Sequence, residues 1–104
     1  MGTAGRWRAR VGRPGGDTES ELEFAEDGTA TLTVGGRGSG TWTATGPGTF
    51  SYRILEELPE GSIEIAQDAV LKGDEFISSG ITKVRLADGS TAREAHVRIT
   101  AKRL

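Results

Sequence analysis

The chain of 104 residues contains no cysteine and one histidine, His96. The missing cysteines exclude a disulfide framework, a thiolate metal site and a cysteine nucleophile. A lone histidine excludes a histidine-rich metal site. There are only three prolines, against sixteen glycines. With many threonines alongside, that balance favours strands and tight turns over helices. Positive charge is not in excess: 13 Lys and Arg stand against 15 Asp and Glu, a net charge of -2. The whole molecule is therefore no electrostatic attractor for phosphates. No segment approaches membrane-spanning length, and MGTAGRW lacks the apolar run of a secretion signal. The compartment expected is the cytoplasm, unless a leader has been removed, with no membrane partner. The length suits a single domain, residues 1–104, with a small core. Repeats, linkers and low-complexity segments are lacking too.

What is present is alternation from end to end, with no competing helical period. It predicts eight strands. The first runs from Arg6 to Val11 and is followed by the polar loop GRPGGDT. The second covers Glu19 to Ala25, and Asp27-Gly28 turns it into the third, Thr29 to Val34. GGRG leads to the fourth, Ser39 to Thr45, and GPG to the fifth, Thr49 to Glu57. The sixth, seventh and eighth are longer: Ser62 to Lys72, Glu75 to Ala87 and Thr91 to Arg103. They are joined at Gly73-Asp74 and Asp88-Gly89. Short turns between sequential strands make a meander, and a meander with one apolar face hides its two edges by closing. The fold expected is all-β, an antiparallel up-and-down barrel of about eight strands. Gly80 falls mid-strand on the apolar parity, where a sharply coiled strand needs it.

The first strand raises a question of function. Trp7, Ala9 and Val11 alternate with Arg6, Arg8 and Arg10. A hairpin sets these arginines beside Glu19, Glu21 and Glu23, which predicts a charge-laddered outer wall. Nucleic-acid binding needs an uncompensated basic stripe with exposed aromatics; here the aromatics take the other face, so no nucleic-acid partner is expected. Closure would also bring Arg98 and Lys102 near the arginines, which leaves an acidic partner open.

Gly5-Arg6-Trp7 at the start of the first strand, with Arg103 near the end of the last, resembles the Gly-x-Trp and closing arginine of the lipocalins, within the calycin group. The resemblance implies that Arg103 packs across Trp7 and plugs one end of the barrel. The chain is shorter than a usual lipocalin and lacks the helix that follows the lipocalin barrel. At the level of strands it is equally similar to allene-oxide-cyclase-like barrels, including small cyclases of bacterial polyketide pathways. High arginine, glycine, threonine and alanine with few lysines is the composition of a GC-rich genome.

An eight-stranded barrel is filled by side chains or holds one small ligand. The inward parity carries large apolar residues together with Ala9, Ala30, Ala44, Ala69, Ala95 and Ala101, which either leave a cavity or let a narrow barrel close. Few polar groups in an apolar interior is the usual design of a small-molecule site. The expected ligand-binding set is Trp42, Phe50, Tyr52, Gln67, Phe76 and Ser78. Gln67 is the most informative, because a buried amide needs partners, either a structural one such as Tyr52 or a ligand. Thr82 is expected to be structural and His96 to face solvent; Glu56 continues the inward parity of Ile54 but sits at the strand end, where an acid at the rim is one reading and an ordinary strand-end residue the other. The function expected is binding of a hydrophobic small molecule of secondary-metabolite or polyketide type. One alternative is a cofactor-independent cyclase or isomerase, closing a ring by a pericyclic or Diels-Alder-type reaction. Orientation would supply the rate, and Tyr52 or Gln67, as catalytic residues, would polarise a carbonyl. The other alternative is an interaction module with a filled core. No cofactor or metal is expected, and the oligomeric state is monomer or homodimer.

Overall fold

The computed structural model describes residues 2–12 and 15–104. Part of the predicted GRPGGDT loop, Arg13 and Pro14, lies outside them. Eight strands follow in order: β1 (Gly5–Gly12), β2 (Thr18–Phe24), β3 (Thr29–Val34), β4 (Gly38–Gly46), β5 (Thr49–Leu58), β6 (Gly61–Lys72), β7 (Glu75–Leu86) and β8 (Thr91–Arg103). Each pairs antiparallel with the next, and β1 also pairs with β8, which closes the barrel. All eight predicted strands are present, with ends shifted by a residue or so.

The turns explain the meander. Asp27 and Asp88 each accept a bond from the backbone N–H two residues on, at Thr29 and Ser90, both at 2.9 Å. The glycines that follow, Gly28 and Gly89, hold φ of 93° and 89°, a region an L side chain rarely adopts.

The register places the arginine row. Arg6, Arg8 and Arg10 stand opposite Glu23, Glu21 and Glu19. On the other flank Arg8 faces Lys102 and Gly12 faces Arg98. Arg6 reaches Glu21 at 3.5 Å with its side chain 64 % exposed, so the pair adds little on its own.

The interior holds the fold together. Trp7, Phe24, Phe50, Tyr52 and Phe76 are buried, and half-buried Trp42 packs against them. Their rings form one cluster, with Trp7 5.0 Å from Phe76, Phe76 5.3 Å from Phe50, Phe50 5.5 Å from Phe24 and Phe24 5.2 Å from Tyr52. Such pairs add about 0.5–1.5 kcal/mol each beyond burial. The small residues Ala9, Ala30, Ala69 and Ala101 are buried among them, and in this half of the barrel they let the wall close on the aromatics.

Trp7 seals this end. The Arg103 guanidinium carbon lies 4.3 Å from the ring centroid, as the lipocalin resemblance implies. Arg103 also donates to the Ala4 and Gly2 carbonyls at 3.0 and 2.8 Å, and to Asp74 at 3.2 Å. The Trp7 indole N–H donates to the Thr3 carbonyl at 2.9 Å. One charged side chain on the last strand thus ties the segment before β1 to the turn between β6 and β7.

Three residues whose parity predicts an inward face differ: Val34, Ala44 and Leu86 are exposed. All three stand at or near strand ends, and Val34 lies beside a register shift between β2 and β3.

Candidate functional site

Behind the aromatic cluster the interior carries a chain of buried polar side chains. Tyr52 lies opposite Gln67 on β6, Gln67 opposite Gly80 on β7, and Gly80 opposite Val97 on β8. The bare Gly80 leaves the Gln67 amide free to cross β7, and its Nε2 donates to the Val97 carbonyl at 3.2 Å. The Ser78 hydroxyl donates to Gln67 Oε1 at 2.8 Å and sits 3.0 Å from the Tyr52 hydroxyl. A serine has one proton. Since Ser78 gives it to Gln67, Tyr52 is the donor to Ser78. The direction of donation therefore runs from Tyr52 through Ser78 and Gln67 to the backbone of β8.

Burial pushes the Tyr52 phenol well above the ordinary range for tyrosine, and the Ser78 bond offsets only part of that rise. The consequence for stability has a definite sign. The unfolded chain releases this proton near pH 10 while the folded chain keeps it, so stability falls as pH climbs above about 10. Tyr52 is the only tyrosine. Tyrosinate absorbance should stay absent past pH 10 while the fold persists, and appear together with loss of the strand signal in circular dichroism. A normal titration in the folded protein would contradict the buried donor.

Beyond this chain lies a cavity of about 40 Å³. Its walls are mostly apolar: Val11, Leu32, Ile54, Ile63, Ile65 and Ile99. Ser20, Tyr52, Thr82 and Glu56 supply the polar side chains. Leu32, Ile54 and Ile99 are buried, whereas Ile63, Ile65, Thr82 and Glu56 are half-buried. The cavity therefore leads outward through a mouth walled by the far ends of β5, β6 and β7. At the rim, Glu56 Oε1 accepts the Arg37 backbone N–H at 3.1 Å, which ties β5 to the loop between β3 and β4.

The six residues expected to bind a ligand fall into two groups. Tyr52 lines the cavity, and its hydrogen-bond partners Ser78 and Gln67 stand just behind it. Gln67 and Tyr52 are indeed neighbours, but Ser78 is interposed between their polar atoms. Trp42, Phe50 and Phe76 belong to the aromatic cluster, and Trp42 donates its indole N–H to the Ala25 carbonyl at 2.7 Å. Glu56, one of whose two readings was an acid at the rim, is half-buried and lines the cavity, and His96 is exposed as expected. The apolar wall of Val11, Leu32, Ile63 and Ile65 was legible as inward-facing. Its depth along the barrel was not, because alternation gives a side chain its face and not its layer.

Among the described residues no group of three or more histidine, aspartate and glutamate side chains is arranged to hold a metal ion. The fold and site define a closed eight-stranded antiparallel up-and-down barrel, an architecture that fits a calycin-like barrel, with Trp7 and Arg103 packed at one end and a mostly apolar cavity toward the other. No family model, curated protein or solved structure matches the chain.

Proposed function

We propose that this barrel binds a hydrophobic small molecule, of the secondary-metabolite or polyketide type, through its open end. The observation that carries the reading is the apolar cavity between Tyr52 and the mouth, in a barrel whose other end is stoppered by Trp7 and Arg103. That end-to-end asymmetry, with the Gly5-Arg6-Trp7 triplet and its stacked arginine, supports a lipocalin-like carrier. Ligand pockets commonly run to roughly 300–1,000 Å³, so 40 Å³ admits only the tip of a molecule. The remainder would rest in the mouth against Ile63 and Ile65.

A cyclase on the same scaffold needs a donor free to polarise a carbonyl in the cavity. Tyr52 instead gives its proton to Ser78, and this favours binding over turnover.

The test is a titration with 1-hexanol, a neutral probe narrow enough to enter, followed by amide chemical shifts. Shifts are expected at Leu32, Ile54, Ile63 and Ile65, saturating at one site. Ile63→Trp, which places an indole across a half-buried mouth position, should reduce affinity at least about tenfold and leave the melting temperature nearly unchanged. Absence of shifts at the mouth, or shifts indifferent to Ile63→Trp, would overturn the reading.

A further inference from the structure

Glu56 gives the mouth a chemical preference. Among the described residues lining the cavity it is the only one with an acidic or basic side chain. One carboxylate oxygen is held by the Arg37 N–H, which fixes the group in place and leaves the second oxygen available. Glu56 makes no ion pair among the described residues. The loop is shaped around it: a Cβ on Gly36, where φ is 146°, would run into the Glu56 carboxylate. Glycine at that position lets the backbone pass close to the acid. A fixed negative charge beside an apolar wall attracts a cation more strongly than it would in open water, and repels an anion by the same physics.

We infer that the ligand is an amphiphilic amine: an apolar body entering between Ile63 and Leu32, and a protonated nitrogen at the Glu56 carboxylate. The inference rests on ligand binding at the mouth and adds the class of head group. It sets fatty acids and other apolar carboxylates among the molecules this barrel rejects.

Three probes with the same alkyl chain separate the possibilities: hexylamine, 1-hexanol and hexanoate, titrated against the whole chain and followed by amide shifts. Hexylamine is expected to bind about tenfold tighter than hexanol, the scale of one hydrogen bond to a charged group. Hexanoate should bind more weakly than hexanol. In Glu56→Gln the amide oxygen can still accept from Arg37, and the three affinities should converge. Equal affinities for amine and alcohol in the unaltered protein, with shifts at the mouth, would overturn the amine proposal and leave mouth binding intact. Shifts from hexylamine confined to Glu19, Glu21 and Glu23 would reveal ammonium binding on the outer wall and also overturn it. If none of the probes moves a mouth amide, the proposal and the mouth reading fall together. The comparison in the unaltered protein decides the matter even if Glu56→Gln folds poorly.

Discussion

Trp7→Ala is expected to remove roughly 3–5 kcal/mol of folding stability, the range for emptying a buried aromatic site. Domains of this size are stable by only about 5–15 kcal/mol, so the variant should unfold at much lower denaturant. The loss has several sources. The indole is fully buried, it meets Phe76 at 5.0 Å, and it is the surface on which Arg103 lies. Removing the ring also frees the Thr3 carbonyl from its donor. Arg103→Ala keeps the ring and loses mainly the stacking and the bonds to Gly2, Ala4 and Asp74. Its expected loss is smaller, because a cation–π contact adds about 0.5–2 kcal/mol. Urea unfolding of both variants checks the order. A neutral Trp7→Ala would mean that this end is not closed by the tryptophan.

Gly80→Ala carries the second large effect, from a single added methyl group. A Cβ at Gly80 would run into the Ala66 carbonyl and crowd Gln67 Cα at 3.0 Å. Both are backbone of the neighbouring strand, so neither can turn aside as a side chain would. Overpacking of this kind costs about 1–3 kcal/mol and sometimes more. The same methyl would also stand under the Gln67 amide where it crosses to Val97, and a broken bond there leaves a buried carbonyl unsatisfied. The expected outcome is a lower urea midpoint with the strand signal retained at low denaturant. Gly73→Ala is a useful control: nothing lies within 4 Å of its Cβ, although its φ of 60° is strained for an L residue. Should Gly80→Ala prove as stable as the parent, the close approach of β6 to β7 would be refuted.

Much of this molecule is readable from its residues. Trp7, Ala9 and Val11 are buried and their arginine neighbours exposed because a strand's side chains alternate by geometry. Asp27-Gly28 and Asp88-Gly89 turn the chain because the carboxylate caps the turn and glycine accepts positive φ. Gly80 stands out on the inward parity of its strand, and it is where the backbones of β6 and β7 leave no room for a Cβ. The charge ladder of Arg6, Arg8 and Arg10 against three glutamates follows from one hairpin register. Each of these depends on residues close in sequence, or on a pairing set by a short turn.

The site is less legible. Phe50 and Ile54 share a parity, yet Phe50 packs in the aromatic cluster and Ile54 lines the cavity. Their roles depend on height within the barrel, which is set by the stagger of eight paired strands together. The Tyr52, Ser78, Gln67 and Val97 chain requires four strands in one register. Composition supplied its members but could not order them, and so could not show that Tyr52 donates inward. By itself, then, the sequence determined strand, face and turn, because those follow from local stereochemistry and period-two patterning. Only the tertiary structure decided which end is stoppered, which is open and where the one charged side chain of the cavity stands. Closing β1 onto β8 converts eight separate faces into a single interior with a top and a bottom.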